Sequence, residues 1–333
     1  LMGLHDIDTM NAIRKELDTI DPSIIIYGEG WTAAGSPLPR ALQALKENAP
    51  LLDERIAVFS DDIRDGIRGS VFSAKETGFV TGGMTAGTAD PGKLPDFRVE
   101  DVKFGIAGGT EHPQIDLTRV SYSNTFWAKT PGQTITYASA HDNLTLWDKL
   151  AATNPGADDE TLLTLNKLAA AIVLTSQGAV FFQAGEEMAR TKGGNDNSYN
   201  APDATNKLDW SRQSRFASLT DYYCGLITLR KTYDAFRLRS ADEVRTRLKF
   251  LSDTATAPDV PLIACTLETA AADYPRFTLL FNGSADTQTA AIPPGNWAIL
   301  VNGDQAGTTP LGHISGGQVT VPGKTALILG ETR

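Results

Sequence analysis

The sequence predicts an α/β unit built on parallel strands, followed by a small all-β antiparallel sandwich. Three observations carry this. From Leu1 to about Arg237, short apolar runs alternate with amphipathic stretches of helical period, the pattern of βα units around a parallel sheet. Beyond about Leu238 come short strand-like runs separated by Gly, Pro, Asn and Asp, as in a small antiparallel sandwich. A chain of 333 residues is long enough for two cores. The expected division is residues 1–237 and 238–333.

In chain order, the first helix is expected over Asp6 to Ile20, where Ile7, Met10, Ile13, Leu17 and Ile20 recur at helical spacing and Asp21-Pro22 stops the run. Ile24 to Tyr27 is β-branched and reads as a strand buried on both faces. Ile56 to Phe59, Thr134 to Ala140 and Ala179 to Gln183 are three further strands. A strong helix from about Asp158 to Ser176 separates the last two, and another runs from about Tyr222 to Tyr233. Val244 to Leu251 is expected to continue as helix. Strands then follow at Leu262 to Leu267, Arg276 to Phe281, Thr289 to Ile292, Trp297 to Val301 and Thr325 to Leu329. The Gly- and Thr-rich segment Gly78 to Gly92 reads as a mobile surface loop.

Each of the four early strands hands over polar or glycine residues at its C-terminal end: Glu29, Ser60-Asp61-Asp62, His141-Asp142 and Gly185-Glu186-Glu187. Catalytic groups of a (β/α)8 barrel stand at the C-terminal strand ends. Four strands make half a barrel, with two open sheet edges, so its stability is expected to depend on a missing half.

Composition narrows the function classes. Charged residues make up 21% and hydrophobic ones 41%, ordinary for a globular chain. Forty acidic residues against thirty basic ones leave a formal charge of -10, which argues against nucleic-acid backbone binding and is compatible with a neutral polysaccharide. The two cysteines, Cys224 and Cys265, form neither a disulfide framework nor zinc-ligand spacing. The longest apolar stretch, Leu168 to Leu174, is too short to span a membrane.

Glu29 follows an apolar strand between Gly28 and Gly30, which are expected to let the backbone turn sharply and to leave space for a ligand. Trp31 beside it is an amphipathic ring suited to a sugar face. The competing reading is a strand-end glutamate with a structural tryptophan. His141-Asp142 ends another strand 113 residues after Glu29; for Asp142 the competing reading is an N-cap for a helix through Leu144 to Leu150. Asp61, Asp62, Arg64 and Asp65 read as a solvated or structural ionic patch, and Glu186-Glu187 as a loop or supporting feature. His5, His112 and His313 have no metal-ligand spacing and read as surface or packing residues. No phosphate loop, serine-nucleophile elbow or zinc pattern is present.

Four stretches together, Leu1-Met2-Gly3, Tyr27-Gly28-Glu29-Gly30-Trp31, Ala140-His141-Asp142-Asn143-Leu144-Thr145-Leu146-Trp147-Asp148-Lys149 and Asn197-Ser198-Tyr199-Asn200-Ala201-Pro202-Asp203, resemble the C-terminal half of a type I pullulanase, a debranching hydrolase of the α-amylase superfamily. The resemblance implies the second half of a (β/α)8 barrel followed by a β-sandwich, and retaining hydrolysis of α-1,6-glucosidic bonds in pullulan, starch or glycogen-type α-glucans. It implies that Glu29 is the general acid and that Asp142 grips sugar hydroxyls with His141 donating nearby. Asn200 and Asp203 would contact glucose units, although turn formation explains them equally well. A general acid calls for a carboxyl pKa raised by partial burial and a neighbouring carboxylate. The nucleophilic aspartate would lie just ahead of Leu1, about 5 Å from the acid. The partners implied are an α-glucan and the missing N-terminal half of the barrel, as upstream segment or separate chain. No cofactor is implied; some relatives carry structural calcium, for which no site can be assigned. Two alternatives stand beside this reading: an isoamylase- or amylase-like hydrolase, and a non-catalytic glucan-binding half-barrel that needs a partner chain.

Overall fold

A computed structural model describes residues 1–82, 98–251, 261–271 and 273–333. The first unit rests on a parallel sheet of β1 (Ile26–Gly28), β2 (Ile56–Phe59), β3 (Thr134–Thr136) and β4 (Ala179–Val180), lying side by side in chain order. Tyr27 pairs with Ala57, Val58 with Thr134, and Ile135 with Ala179. Parallel neighbours need long crossovers. Helix α1 (Ile7–Ile20) precedes β1. Helices α2 (Asp61–Arg68) and α3 (Val99–Ile106) connect β2 to β3, and α4 (Leu146–Thr153) and α5 (Asp159–Thr175) connect β3 to β4. The short α6 (Asp203–Asn206) and α7 (Ser211–Arg215) then lead into α8 (Ala217–Thr232).

Local chemistry fixes the helix starts. Asp6 accepts a hydrogen bond from the Thr9 amide at 2.7 Å, and Asp158 accepts one from Thr161 at 2.9 Å; each satisfies an orphan donor of a first helical turn. Helix α1 turns Ile7, Met10 and Arg14 inward. Helix α5 is buried without interruption from Leu165 to Thr175, packed against α8.

Strand β1 corrects the expectation of a strand buried on both faces. Tyr27 is 51% exposed and Ile25, just outside the strand, 71%. Among the described residues β1 pairs with β2 alone, so one edge has no neighbour there, whereas β2, flanked on both sides, is buried at all four positions. Strand-like runs at Thr134 to Ala140 and Ala179 to Gln183 keep ladder pairing only at their starts; their last residues lead out of the sheet toward the site. Gly78 to Gly82, expected on a surface loop, is buried, with Phe79 and Val80 in the main core. Residues 83–92 of that segment lie outside the described residues.

The second unit begins with α9 (Ala241–Arg247), started by a capping box. Ser240 Oγ accepts from the Glu243 amide and the Glu243 carboxylate accepts from the Ser240 amide, both at 3.2 Å. The helix does not reach Leu251. It gives way to β5 (Leu248–Phe250), which pairs with β6 (Leu262–Glu268), while the Gln114 side chain exchanges hydrogen bonds with the Phe250 backbone at 2.7 and 3.0 Å. Strands β7 (Arg276–Asn282), β8 (Gln288–Val301), β9 (Gly312–Val321) and β10 (Ala326–Thr332) complete one antiparallel sheet of order β5-β6-β7-β10-β8-β9.

The expected sandwich of two sheets is therefore one continuous ladder. Its long β8–β9 hairpin folds back so that β9 meets β7, enclosing Trp297, Leu280, Ile292, Val319 and Leu329. The opposite face, with Phe277, Leu279 and Ile328, merges into the main core with α5 and α8. Lys324 ties the two units further. Its buried ammonium donates to the carbonyl of Val80 at 2.9 Å and to those of Gly82 and Gly283.

Candidate active site

The C-terminal ends of β1, β2 and β3 open onto one cleft of about 500 Å³. Glu29 enters it from β1 and His141 and Asp142 from the segment after β3. One ligand-type atom of each lies within 4.8 Å of the other two. Glu29 is four-fifths covered, whereas His141 and Asp142 are 75% and 65% exposed, with Nε2 and Oδ1 3.4 Å apart. Trp31 forms one wall. The amino group of Leu1 lies 3.7 Å from Glu29 Oε2.

Backbone contacts set the Glu29 position. Its carbonyl accepts from the Gly3 amide at 3.0 Å, and the Gly30 carbonyl accepts from Lys46 at 2.9 Å. The two glycines act differently from expectation. Neither has a positive φ, and neither leaves room for a ligand: a Cβ on Gly28 would meet Met2 Cβ at 2.8 Å and one on Gly30 would meet the Lys46 nitrogen at 2.7 Å. They permit close packing of the chain behind the carboxylate.

Helix α4 settles the competing reading of Asp142. Thr145 is its N-cap, accepting from the Asp148 amide at 3.1 Å. Between Asp142 and that cap, Asn143 takes a left-handed φ of 64°, and Asp142 lines the cleft.

Asn200 and Asp203, expected near the sugar, are exposed and do not line this cleft. Ser198 is drawn inward, its hydroxyl 2.6 Å from Lys192 Nζ and its carbonyl accepting from Asn206 Nδ2 at 2.7 Å. The chain therefore turns outward after it, and Asp196 and Asn197 reach the cleft instead.

Sequence reasoning missed the floor of the site, formed by Arg64, Arg68 and Tyr137, with Phe72 at the rim. Arg64 donates to Tyr137 Oη at 3.0 Å and to Asp65 at 2.6 Å. The ionic patch after β2 is structural rather than solvated. Asp62 and Asp65 are fully buried. Asp62 accepts from Lys46 Nζ at 2.9 Å and Ser123 Oγ at 2.7 Å, and Asp65 from Tyr122 Oη at 2.6 Å. Burial pushes the Asp61 carboxyl above its usual range.

Glu186 supports the site from below. It is fully enclosed, bonded to Ser139 two residues before His141, and burial pushes its pKa up to about 7. Buried His112 packs against Phe250, with Nε2 3.0 Å from the Leu248 carbonyl, while His5 and His313 are exposed. Among the described residues, Glu29, His141 and Asp142 are the only trio of His, Cys, Asp or Glu side chains grouped closely enough to hold a metal ion.

A strand-end carboxylate pair beside an aromatic wall is the arrangement expected of a glycoside hydrolase, and the relatives found are of that class. No family model matches the chain. The pullulanase of Bacillus subtilis strain 168 is 36% identical over 252 residues, which are 76% of this chain and 32% of that protein. The pullulanase structure from Bacillus acidopullulyticus superposes with a TM-score of 0.84 at 37% identity, over 99% of this chain and 37% of that one. The type I pullulanase of Bacillus subtilis strain 168 complexed with maltose gives 0.86 at 31% identity, over 100% of this chain and 43% of that one. This chain is a relative of the pullulanases. It spans about a third of the length of the Bacillus subtilis protein.

Proposed function

We propose that the chain forms the second half of the catalytic barrel of a debranching α-glucan hydrolase, residues 1–237, followed by its C-terminal β domain, residues 238–333. The convergence of Glu29 and Asp142 within one 4.8 Å cluster, from strand ends 113 residues apart, carries the reading. Glu29 protonates the departing glycosidic oxygen and then deprotonates the incoming water. Asp142 and His141 hold the hydroxyls of the sugar undergoing cleavage, contacts that tighten as the oxocarbenium ion forms. Trp31 stacks against a neighbouring ring.

The nucleophile in this reading is an aspartate just ahead of Leu1, a position supported by the 3.7 Å between the Leu1 amino group and Glu29. The first four barrel strands would pack over the side of the parallel sheet where Tyr27 is left half-exposed. That side carries Tyr27, Phe59, Tyr137 and Phe181, whose rings meet edge-on or tilted at 4.8 to 6.5 Å. Half-exposed Tyr27 and the unpaired outer edge of β1 support a further layer there.

The test is product analysis on the chain completed by the first half of the barrel, fused or mixed. Pullulan should yield maltotriose while amylose stays intact. Faster attack on amylose would move the linkage assignment to an amylase-like enzyme. No turnover of either glucan would remove the hydrolase reading.

A further inference from the structure

We propose that Arg68 and Lys192 are positioning residues for Asp142, two cations that grip backbone carbonyls of the His141–Asp142 turn and fix where its carboxylate meets the sugar. The inference rests on the assignment of Asp142 made above. Among the described residues little packs against this turn, the side chains of His141 and Asp142 being mostly exposed. The backbone must be held instead, and Asn143 adds a left-handed residue, a strained conformation for a non-glycine residue that persists only where its surroundings enforce it.

The holding contacts bracket the turn. Arg68, at the last position of α2 and 1% exposed, donates from Nη1 to the Ala138 carbonyl at 3.2 Å and to the Leu144 carbonyl at 2.9 Å. Those two acceptors lie on either side of His141 and Asp142. Lys192 Nζ donates to the carbonyl of His141 itself at 3.1 Å. Lys192 is anchored in turn, its ammonium 2.6 Å from Ser198 Oγ and its backbone amide donating to Asp148 Oδ2 at 2.8 Å.

Arg68 is an expensive way to fill this space. Its hydrogen-bond acceptors are carbonyls rather than a carboxylate, its Nε has no partner, and burial pushes its pKa down to about 10. Burying a charge bonded only to carbonyls is unfavourable, and an apolar side chain of similar volume would pack at lower cost. Two fixed donors on one rigid planar group do what an apolar chain cannot: they set the spacing of two carbonyls six residues apart.

The test uses Arg68→Met, Lys192→Met and, as reference, Asp142→Asn, in the chain completed by the first half of the barrel. A displacement of about 1 Å at a reacting group can cost on the order of 100-fold in rate. Both methionine variants should lose about 10- to 100-fold in kcat on pullulan. KM should stay within about threefold and the limbs of the pH–rate profile should not move, since the cations act through position. Arg68→Lys should recover part of the loss. If Arg68→Met fails to fold, Lys192→Met decides alone, because its ammonium bonds the His141 carbonyl directly. Wild-type kcat in Lys192→Met, a rise in KM without loss of kcat, or shifted pH limbs would overturn the inference. Full turnover in Asp142→Asn would instead overturn the assignment of Asp142.

Discussion

Glu186 offers a prediction whose sign and size both come from its surroundings. The Tyr223 hydroxyl lies 3.0 Å from Glu186 Oε1 and 3.0 Å from Asn166 Oδ1. Tyr223 and Ser139 donate to the Glu186 carboxylate and favour its charged form, but burial outweighs them. Burial favours the neutral form and pushes the pKa from 4.5 to about 7. The native chain therefore holds this proton through a range in which the unfolded chain has lost it. Its contribution to stability is full below pH 4.5 and is lost as pH rises toward and through 7. Between pH 5 and pH 8 the loss amounts to about 2 to 3 kcal/mol. Glu186→Gln keeps the shape and the donor but cannot ionise. Asp101, raised to about 6 by burial, titrates with the same sign, so the quantity to measure is the difference between wild type and variant. Urea unfolding across this range should show the variant gaining on wild type by that amount. Parallel stability curves for the two proteins would refute the reasoning.

Other substitutions separate supporting residues from chemical ones. Lys46→Met leaves Asp61 and fully buried Asp62 without their cation; breaking one side of a buried pair costs about 3 to 5 kcal/mol, read as a lowered denaturation midpoint. Thr145→Ala removes the cap of α4 and should cost about 1 kcal/mol. Asp142→Asn, at a residue that caps nothing and is mostly exposed, should leave the midpoint within about 0.5 kcal/mol. Equal losses in those last two variants would return Asp142 to a structural role.

Much of the fold was legible because it depends on local pattern. The spacing of Ile7, Met10 and Leu17, the apolar run Ile56 to Phe59, and the long helical stretch from about Asp158 to Ser176 each declare their element without reference to the rest of the chain. Burial of β1 was not legible, since Ile25 and Tyr27 are apolar enough for a covered strand and their exposure depends on what lies beside them. Strand β9 was missed because Gly312, Gly316 and Gly317 interrupt its apolar pattern; it is an outermost strand, held by pairing along β8. Pro293 and Pro294 split β8 into two expected strands, where the chain carries one strand with a register shift between Ile292 and Asn296.

In the site, Glu29, Trp31, His141 and Asp142 stood out because carboxylates and aromatics at strand ends form a recognisable motif. Arg68 and Lys192 did not, since their partners are backbone carbonyls, which every residue carries and no sequence displays. Asn200 and Asp203 look like sugar ligands in sequence, but they do not line the cleft that Asp196 and Asn197 reach.

The account centres on Glu29 giving a proton to the bond that Asp142 helps to distort. Glu29→Gln, made in the completed barrel and assayed on pullulan with binding followed separately by calorimetry, tests it most directly. Turnover should fall by at least about 100-fold with glucan affinity retained. Wild-type turnover from the glutamine variant would contradict the account.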